Sequence, residues 1–319
     1  MRISQYLIDV PTSVADITEQ VAVAERAGLD GVYFPQLASW DALTMAALAG
    51  AQVPRIGLGT AIVRTYPTHP LALAGKALTV QAAVGNRLTL GIGPGPQPVI
   101  EGQYGLSFEQ PARHIREYLQ VLRPLLRGEA VNYRGQTLTA VGQVDVPGTT
   151  PPPILVSALG PIMLRIAGEL ADGTVTVWAG AELLGEHIVP AVTASAAEAG
   201  RGAPRIVAII MASVTADPHR ARQEVAARFG AAAQLASYRR LLDLQGKAGL
   251  EETVVAGDES TVAEAIRQLA EAGVTELVVS PVGSDADRAR TLQLLSVLRD
   301  PEQPLAVPDR FVATTPHLP

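Results

Sequence analysis

Eight short apolar runs are interspersed with amphipathic helical stretches along this chain, and that alternation restricts its fold more than any other feature. The apolar runs occupy residues 3–10, 31–34, 56–63, 88–92, 154–158, 173–178, 205–214 and 276–280. Helical stretches lie at 13–27, 41–49, 70–83, 111–126, 163–171 and 261–272. In the first of these, Val14, Ile17, Val21 and Ala24 recur near a helical period and Gly28 closes the stretch. Asp41 is positioned to cap the second, Pro70 opens the third and Gly128 ends the fourth. Each helical crossover returns the next strand in the same direction, so a parallel sheet follows. Unbroken repetition favours closure, and the expected fold is α/β, a single (β/α)8 TIM barrel with insertions across residues 1–319. An open doubly wound sheet is the rival. A small hairpin excursion is expected between 131 and 153. A helical insertion is expected at about 218–248, either covering the barrel mouth or decorating the surface. The Pro-rich tail from about 301 reads as extended.

Apolar residues make up 48% of the 319, enough for a sizeable core, and the net charge of -6 with no basic block argues against a nucleic-acid partner. The absence of cysteine excludes disulfides, thiolate nucleophiles and cysteine metal sites. Histidines at 69, 114, 187, 219 and 317 show no metal-ligand spacing, so no metal is expected. No Gly-x-Ser-x-Gly elbow is present. The first residues carry no signal-peptide pattern and no apolar run is long enough to cross a bilayer, so a cytoplasmic location without membrane attachment is expected.

In a (β/α)8 barrel the chemistry sits on the loops that follow the strands, and four of them stand out. After the fourth run comes Gly91-Ile92-Gly93-Pro94-Gly95-Pro96, where glycines let the backbone approach a phosphate. A dinucleotide fingerprint would need a third glycine and a helix opening directly behind it; neither is expected, and a plain tight turn is the alternative. After the fifth run, Ser157-Ala158-Leu159-Gly160-Pro161 precedes a helix and makes a natural anion site, unless Ser157 or Gly160 merely caps that helix. The third run ends in Leu58-Gly59-Thr60-Ala61-Ile62, whose small residues let a flat ring lie against the backbone. Beyond it, Arg64 suits a carboxylate or phosphate, or else is a solvated loop charge, and His69 before Pro70 reads as a structural turn residue. After the second run, Trp40 either walls a pocket or packs over the barrel mouth. Glu109, Arg113, Arg116 and Glu117 read as a solvated helix face with i,i+4 pairs.

Several segments share an order and spacing with a known group: Glu25 to Gly31, Leu58 to Ile62, Tyr66-Pro67-Thr68-His69-Pro70, Asn86 to Gly93, and Ala167 to Gly173. From Met1 to about Val297 the chain resembles the luciferase-like monooxygenase superfamily, and within it the branch that uses coenzyme F420, a deazaflavin. The resemblance implies a bacterial luciferase-like barrel with a non-prolyl cis peptide at Ala61-Ile62 backing the cofactor ring. It implies that Gly93, Pro94 and Gly95, with Ser157, Ala158, Leu159 and Gly160, hold the cofactor's side chain and phosphate. Gln36, Thr60 and Arg64 complete the expected cofactor contacts, and a homodimer is expected. Many relatives carry an Asp-His pair after the second strand, where this chain has Gln36-Leu37, and some carry an acid where it has Pro96. Glutamine hydrogen-bonds but is no general base. Gln36 and Trp40 are the candidate catalytic residues. The departures imply direct hydride transfer from the reduced deazaflavin to a small unsaturated acceptor, an imine or enone, rather than alcohol oxidation. An FMNH2-dependent two-component monooxygenase, with FMN as cofactor, and a non-catalytic cofactor-binding barrel are the alternatives.

Overall fold

The strands form where the apolar runs lie, and most of their residues are buried on both faces, as parallel strands sheathed by helices require. The computed structural model describes residues 1–9, 11–36 and 40–299; the end of the first run at Val10, the Leu37 position and the tail from 301 lie outside them. From the N-terminus come β1 (Arg2–Tyr6), α1 (Val14–Arg26), β2 (Gly31–Phe34), α2 (Ala42–Gln52), β3 (Gly57–Thr60), β4 (Val63–Arg64), α3 (Pro70–Ala83), β5 (Leu88–Gly93), α4 (Gln97–Tyr104) and α5 (Pro111–Leu126). A hairpin of β6 (Val131–Arg134) and β7 (Thr139–Gly142) follows, then β8 (Ile154–Ser157), α6 (Pro161–Leu170) and β9 (Gly173–Val177). Next, α7 (Ala181–Leu183) passes through a π-helical turn into α8 (Val189–Glu198). The last third holds β10 (Arg205–Val214), α9 (Pro218–Phe229), α10 (Ala236–Leu244), β11 (Val255–Gly257), α11 (Glu259–Glu271), β12 (Glu276–Pro281) and α12 (Asp285–Leu298).

Strands β1, β2, β3, β5, β8, β9, β10 and β12 pair side by side, all parallel, and β12 returns to β1. The ring is therefore closed, and the open doubly wound alternative is excluded. No helix among the described residues is long and apolar enough to cross a membrane.

A polar cluster fills the N-terminal part of the barrel interior. Arg205 Nη2 donates to Glu276 Oε2 at 2.6 Å and to the Tyr33 hydroxyl at 3.2 Å, while Ser4 Oγ donates to Glu276 Oε1 at 2.8 Å. Glu276 is only 2% exposed, and a buried carboxylate persists because these donors and the guanidinium charge replace its water. The Tyr33 ring lies across Gly59, where a Cβ would come within 2.3 Å of it. With this end plugged by side chains, open space is left to the C-terminal mouth.

Four expectations need correction. The third strand is not continuous from 56 to 63: it stops at Thr60 and resumes at Val63, for a reason given below. A helix, α4, does open directly after the Gly93–Pro96 loop, because Pro96 and Pro98 preset its first turn. Glu117 is not on a solvated face. It is buried and accepts from Gln136 N (3.0 Å), Thr137 N (2.9 Å) and Thr137 Oγ1 (2.8 Å), fastening the hairpin turn onto α5. Arg116 reaches Glu169 on α6 at 2.6 Å instead of a residue on its own helix. These partners are distant in sequence, so helical spacing could not reveal them. The short β11 and helices α7, α8 and α12 have no counterpart in the sequence reading.

Candidate active site

The break in the third strand begins with Thr60. Its hydroxyl accepts the Gly91 N–H at 3.0 Å and donates to the Gly91 carbonyl at 2.9 Å, taking over both backbone groups that β3 would otherwise pair. Only glycine fits at 91, since a Cβ there would stand 2.0 Å from the Thr60 carbonyl oxygen. Residues 61 and 62 are thereby released from the ladder, and the Ala61–Ile62 peptide is cis. Ala61 is held from two sides: its N–H donates to Phe34 O at 2.9 Å, and its carbonyl accepts from the Tyr6 hydroxyl at 2.9 Å. The Ile62 side chain lies over Gly93, and a Cβ on Gly93 would meet Ser157 Cβ at 3.0 Å and Ile62 Cδ1 at 3.3 Å. The bulge and the loops after β5 and β8 thus form one surface.

Above that surface opens a cavity of about 740 Å³. Tyr6, Pro35 and Gln36 form one side, Ala61, Ile62 and Arg64 the floor, and Pro94 to Pro98 with Phe108 a second side. Ser157, Leu159 and Gly160 to Met163 close the third. The fourth is the insertion, through Gln234 to Tyr238 and Arg240, so the helical insertion covers the mouth rather than decorating the surface. It is fastened at both ends. Arg228 of α9 reaches the Asp9 carboxylate and donates to Ile8 O at 2.7 Å. Beyond α10, Gln245 accepts from Gly180 N at 2.8 Å and donates to Trp178 O at 3.0 Å.

Of the residues singled out from sequence, Gln36, Ala61, Ile62, Arg64, Pro94, Gly95, Ser157, Leu159 and Gly160 line this cavity. Thr60, Gly93 and Ala158 lie behind its wall, Thr60 fully buried and Ala158 1% exposed. Trp40 is not among the lining residues. Its indole N–H donates to Pro11 O at 3.1 Å and its ring packs against the core, the packing alternative. Gln36 Oε1 accepts from Ala42 N at 3.1 Å at the start of α2, which orients the side chain so that its NH2 group can donate to a ligand. His69 caps α3, accepting from Leu71 N at 3.3 Å through Nδ1 and pairing with Thr139 O at 2.9 Å through Nε2, a structural turn role.

Sequence reasoning missed Tyr6, Phe108 and Tyr238. Tyr6 follows Ser4 at the period of a strand and points the same way, a signal that was available. Phe108 is held by the Tyr66 ring at 5.2 Å, itself stacked on His114 at 4.0 Å, and nothing local foretells that ladder. Tyr238 sits in an irregular insertion with no comparable pattern.

The site's chemistry is that of donors and cations. Among the described lining residues the charged groups are Arg64 and Arg240, and there is no carboxylate and no histidine, on a chain of net charge -6. Arg64 makes no ion pair among the described residues, and its Nη1 is buried without a hydrogen-bond partner. Its stem packs under Gly95, whose φ of +77° only glycine adopts readily, with Arg64 Cδ 3.2 Å from where a Cβ would stand. Helix α6 has Gly160 as N-cap and no side-chain cap, so Ser157 does not serve as one, and the residues of its first turn line the cavity. Burial pushes the Tyr6 hydroxyl's pKa well up, and nearby Tyr238 adds to the rise; burial likewise raises Tyr238. Both phenols are therefore neutral at pH 7. Among the described residues, no three His, Asp or Glu side chains converge as a metal site.

The family profile described as luciferase-like monooxygenase matches residues 3–276. The 5,10-methylenetetrahydromethanopterin reductase of Methanopyrus kandleri is 30% identical, over 88% of this chain and 92% of its own. The F420-dependent glucose-6-phosphate dehydrogenase of Nocardia farcinica is 29% identical, over 77% of this chain and 79% of its own. Among solved structures, the coenzyme F420 dependent tetrahydromethanopterin reductase from Methanopyrus kandleri superposes with a TM-score of 0.73 at 26% identity, covering 93% of this chain and 96% of that one.

Proposed function

The chain belongs to the luciferase-like monooxygenase family, and from that premise we propose that it is a coenzyme F420-dependent oxidoreductase moving hydride between the deazaflavin and a small organic substrate. The carrying observation is the charge of the cavity: two arginines, an uncapped helix N-terminus, and no carboxylate among the described lining residues. Such a donor set fits an anionic cofactor and repels none of its charges. The bulge at Ala61 and Ile62 would back the flat ring. Ser157, the first turn of α6 and the Gly95 loop would hold the phosphate-bearing side chain, with Arg64 beneath. Reduced deazaflavin, when bound, supplies hydride, and the protein supplies position and electrostatics.

The same absence of a carboxylate or histidine favours reduction over alcohol oxidation. Removing an alcohol proton needs a base, and Gln36, with its carbonyl oxygen already engaged by Ala42 N, is not one. The substrate class this supports is an unsaturated acceptor, an imine or an enone. We further propose that the enzyme is a cytoplasmic homodimer; light scattering on the purified protein tests the oligomeric state, and cell fractionation tests the location. The decisive experiment is a parallel titration with F420 and FMN, followed by intrinsic tryptophan fluorescence. Tighter F420 binding is expected. Tighter FMN binding, with oxygen uptake in the presence of FMNH2, would establish the two-component monooxygenase instead.

A further inference from the structure

We infer that Tyr238, on the helical insertion, is the proton donor for hydride transfer in this cavity. The inference rests on the functional reading above and adds a residue to it. When hydride reaches the carbon of an imine, or the β-carbon of an enone, the π pair moves to nitrogen or oxygen, and that atom must take a proton. The described lining residues offer few sources. Arginine does not release its proton, so Arg64 and Arg240 are excluded. The Gln36 amide and the serine hydroxyls of 157 and 237 are too weakly acidic. The Tyr6 proton is committed to Ala61 O at 2.9 Å. Tyr238 remains: it lines the cavity and its hydroxyl has no hydrogen-bond partner among the described residues.

The environment suits a late proton transfer. Burial raises the proton affinity of Tyr238, so the phenol is fully loaded at neutral pH. It is too weak an acid to protonate a neutral carbonyl, but it matches the strongly basic oxygen or nitrogen that hydride addition creates. In balance, a C–H bond forms with the hydride pair, an O–H or N–H bond forms as the Tyr238 O–H bond breaks, and water at the mouth returns a proton to the phenolate. Both electrons the acceptor gains would come with the hydride that bound reduced deazaflavin supplies. Arg228 and Gln245 fasten the insertion on either side of Tyr238.

The test compares wild type with Tyr238→Phe, using reduced F420 as donor and 2-cyclohexen-1-one and 1-pyrroline as acceptors. The readouts are kcat, its solvent deuterium isotope effect, and the F420 dissociation constant. The variant should lose about 100-fold in kcat, the lower range for a positioned acid. It should also show a changed solvent isotope effect, while binding F420 within twofold of wild type. Retention of kcat within threefold with an unchanged isotope effect would remove Tyr238 and leave the F420 reading standing. Loss of F420 binding in the variant would also overturn the assignment, making Tyr238 a binding residue. A wild-type enzyme that binds reduced F420 but oxidises it with neither acceptor would overturn the proposed reduction and the proton donor with it.

Discussion

Replacing Thr60 with valine tests how the third strand is broken and held. Thr60 is fully buried, and its single hydroxyl pairs with both the Gly91 N–H at 3.0 Å and the Gly91 carbonyl at 2.9 Å. Valine has nearly the same shape, so no cavity opens, but two backbone groups are left unpaired where water does not reach. Each such group costs about 1–3 kcal/mol, so Thr60→Val should destabilise the protein by about 2–6 kcal/mol. Thr60→Ser keeps both bonds and loses one methyl, for about 1 kcal/mol. Urea unfolding of the three proteins with a common slope measures the difference. F420 titration of the same proteins should show weaker binding in the valine variant alone, because Ala61 and Ile62 follow the Thr60 anchor. A valine variant within 0.5 kcal/mol of wild type, or a serine variant as damaged as the valine one, would refute the reasoning.

Arg205→Met should cost about 3–5 kcal/mol in the same assay, because it strands the buried Glu276 carboxylate 2.6 Å from a lost partner. For Glu117, burial alone would raise the pKa, but hydrogen bonds from Thr137 and Gln136 hold it below the ordinary glutamate value of 4.5. A depressed carboxylate contributes stability above the unfolded pKa and loses it as pH falls through the folded one. Glu117→Gln should therefore flatten the acid limb of stability against pH below about 4.5, and an unchanged limb would contradict the assignment. For His114, burial lowers the pKa from 6.5 to about 4, outweighing the opposing pull of Glu117. The unfolded chain then binds up to one more proton than the folded one between pH 6.5 and 4, so stability is lost as pH falls through that window. The slope reaches about 1.4 kcal/mol per pH unit, and His114→Asn should remove this share of it.

The barrel and the position of its mouth were legible in the sequence because both rest on local signals. Val14, Ile17, Val21 and Ala24 make a helical face whatever lies around them, and alternating helices and short apolar runs leave few topologies. The glycines at 91, 93 and 95 likewise marked a loop at the cavity, since the close approach they permit is a property of the backbone itself. Tertiary structure alone decided which residues face the cavity. Trp40 turns to Pro11 O, Glu117 is claimed by a hairpin turn, and Thr60 breaks its strand by binding Gly91. Tyr6 and Tyr238, far apart in sequence, line the same cavity. These outcomes depend on partners brought together by ring closure and by docking of the insertion. A residue's period along the chain fixes the face it starts on, whereas the partner that satisfies its polar group or covers its ring is set by packing between segments distant in sequence.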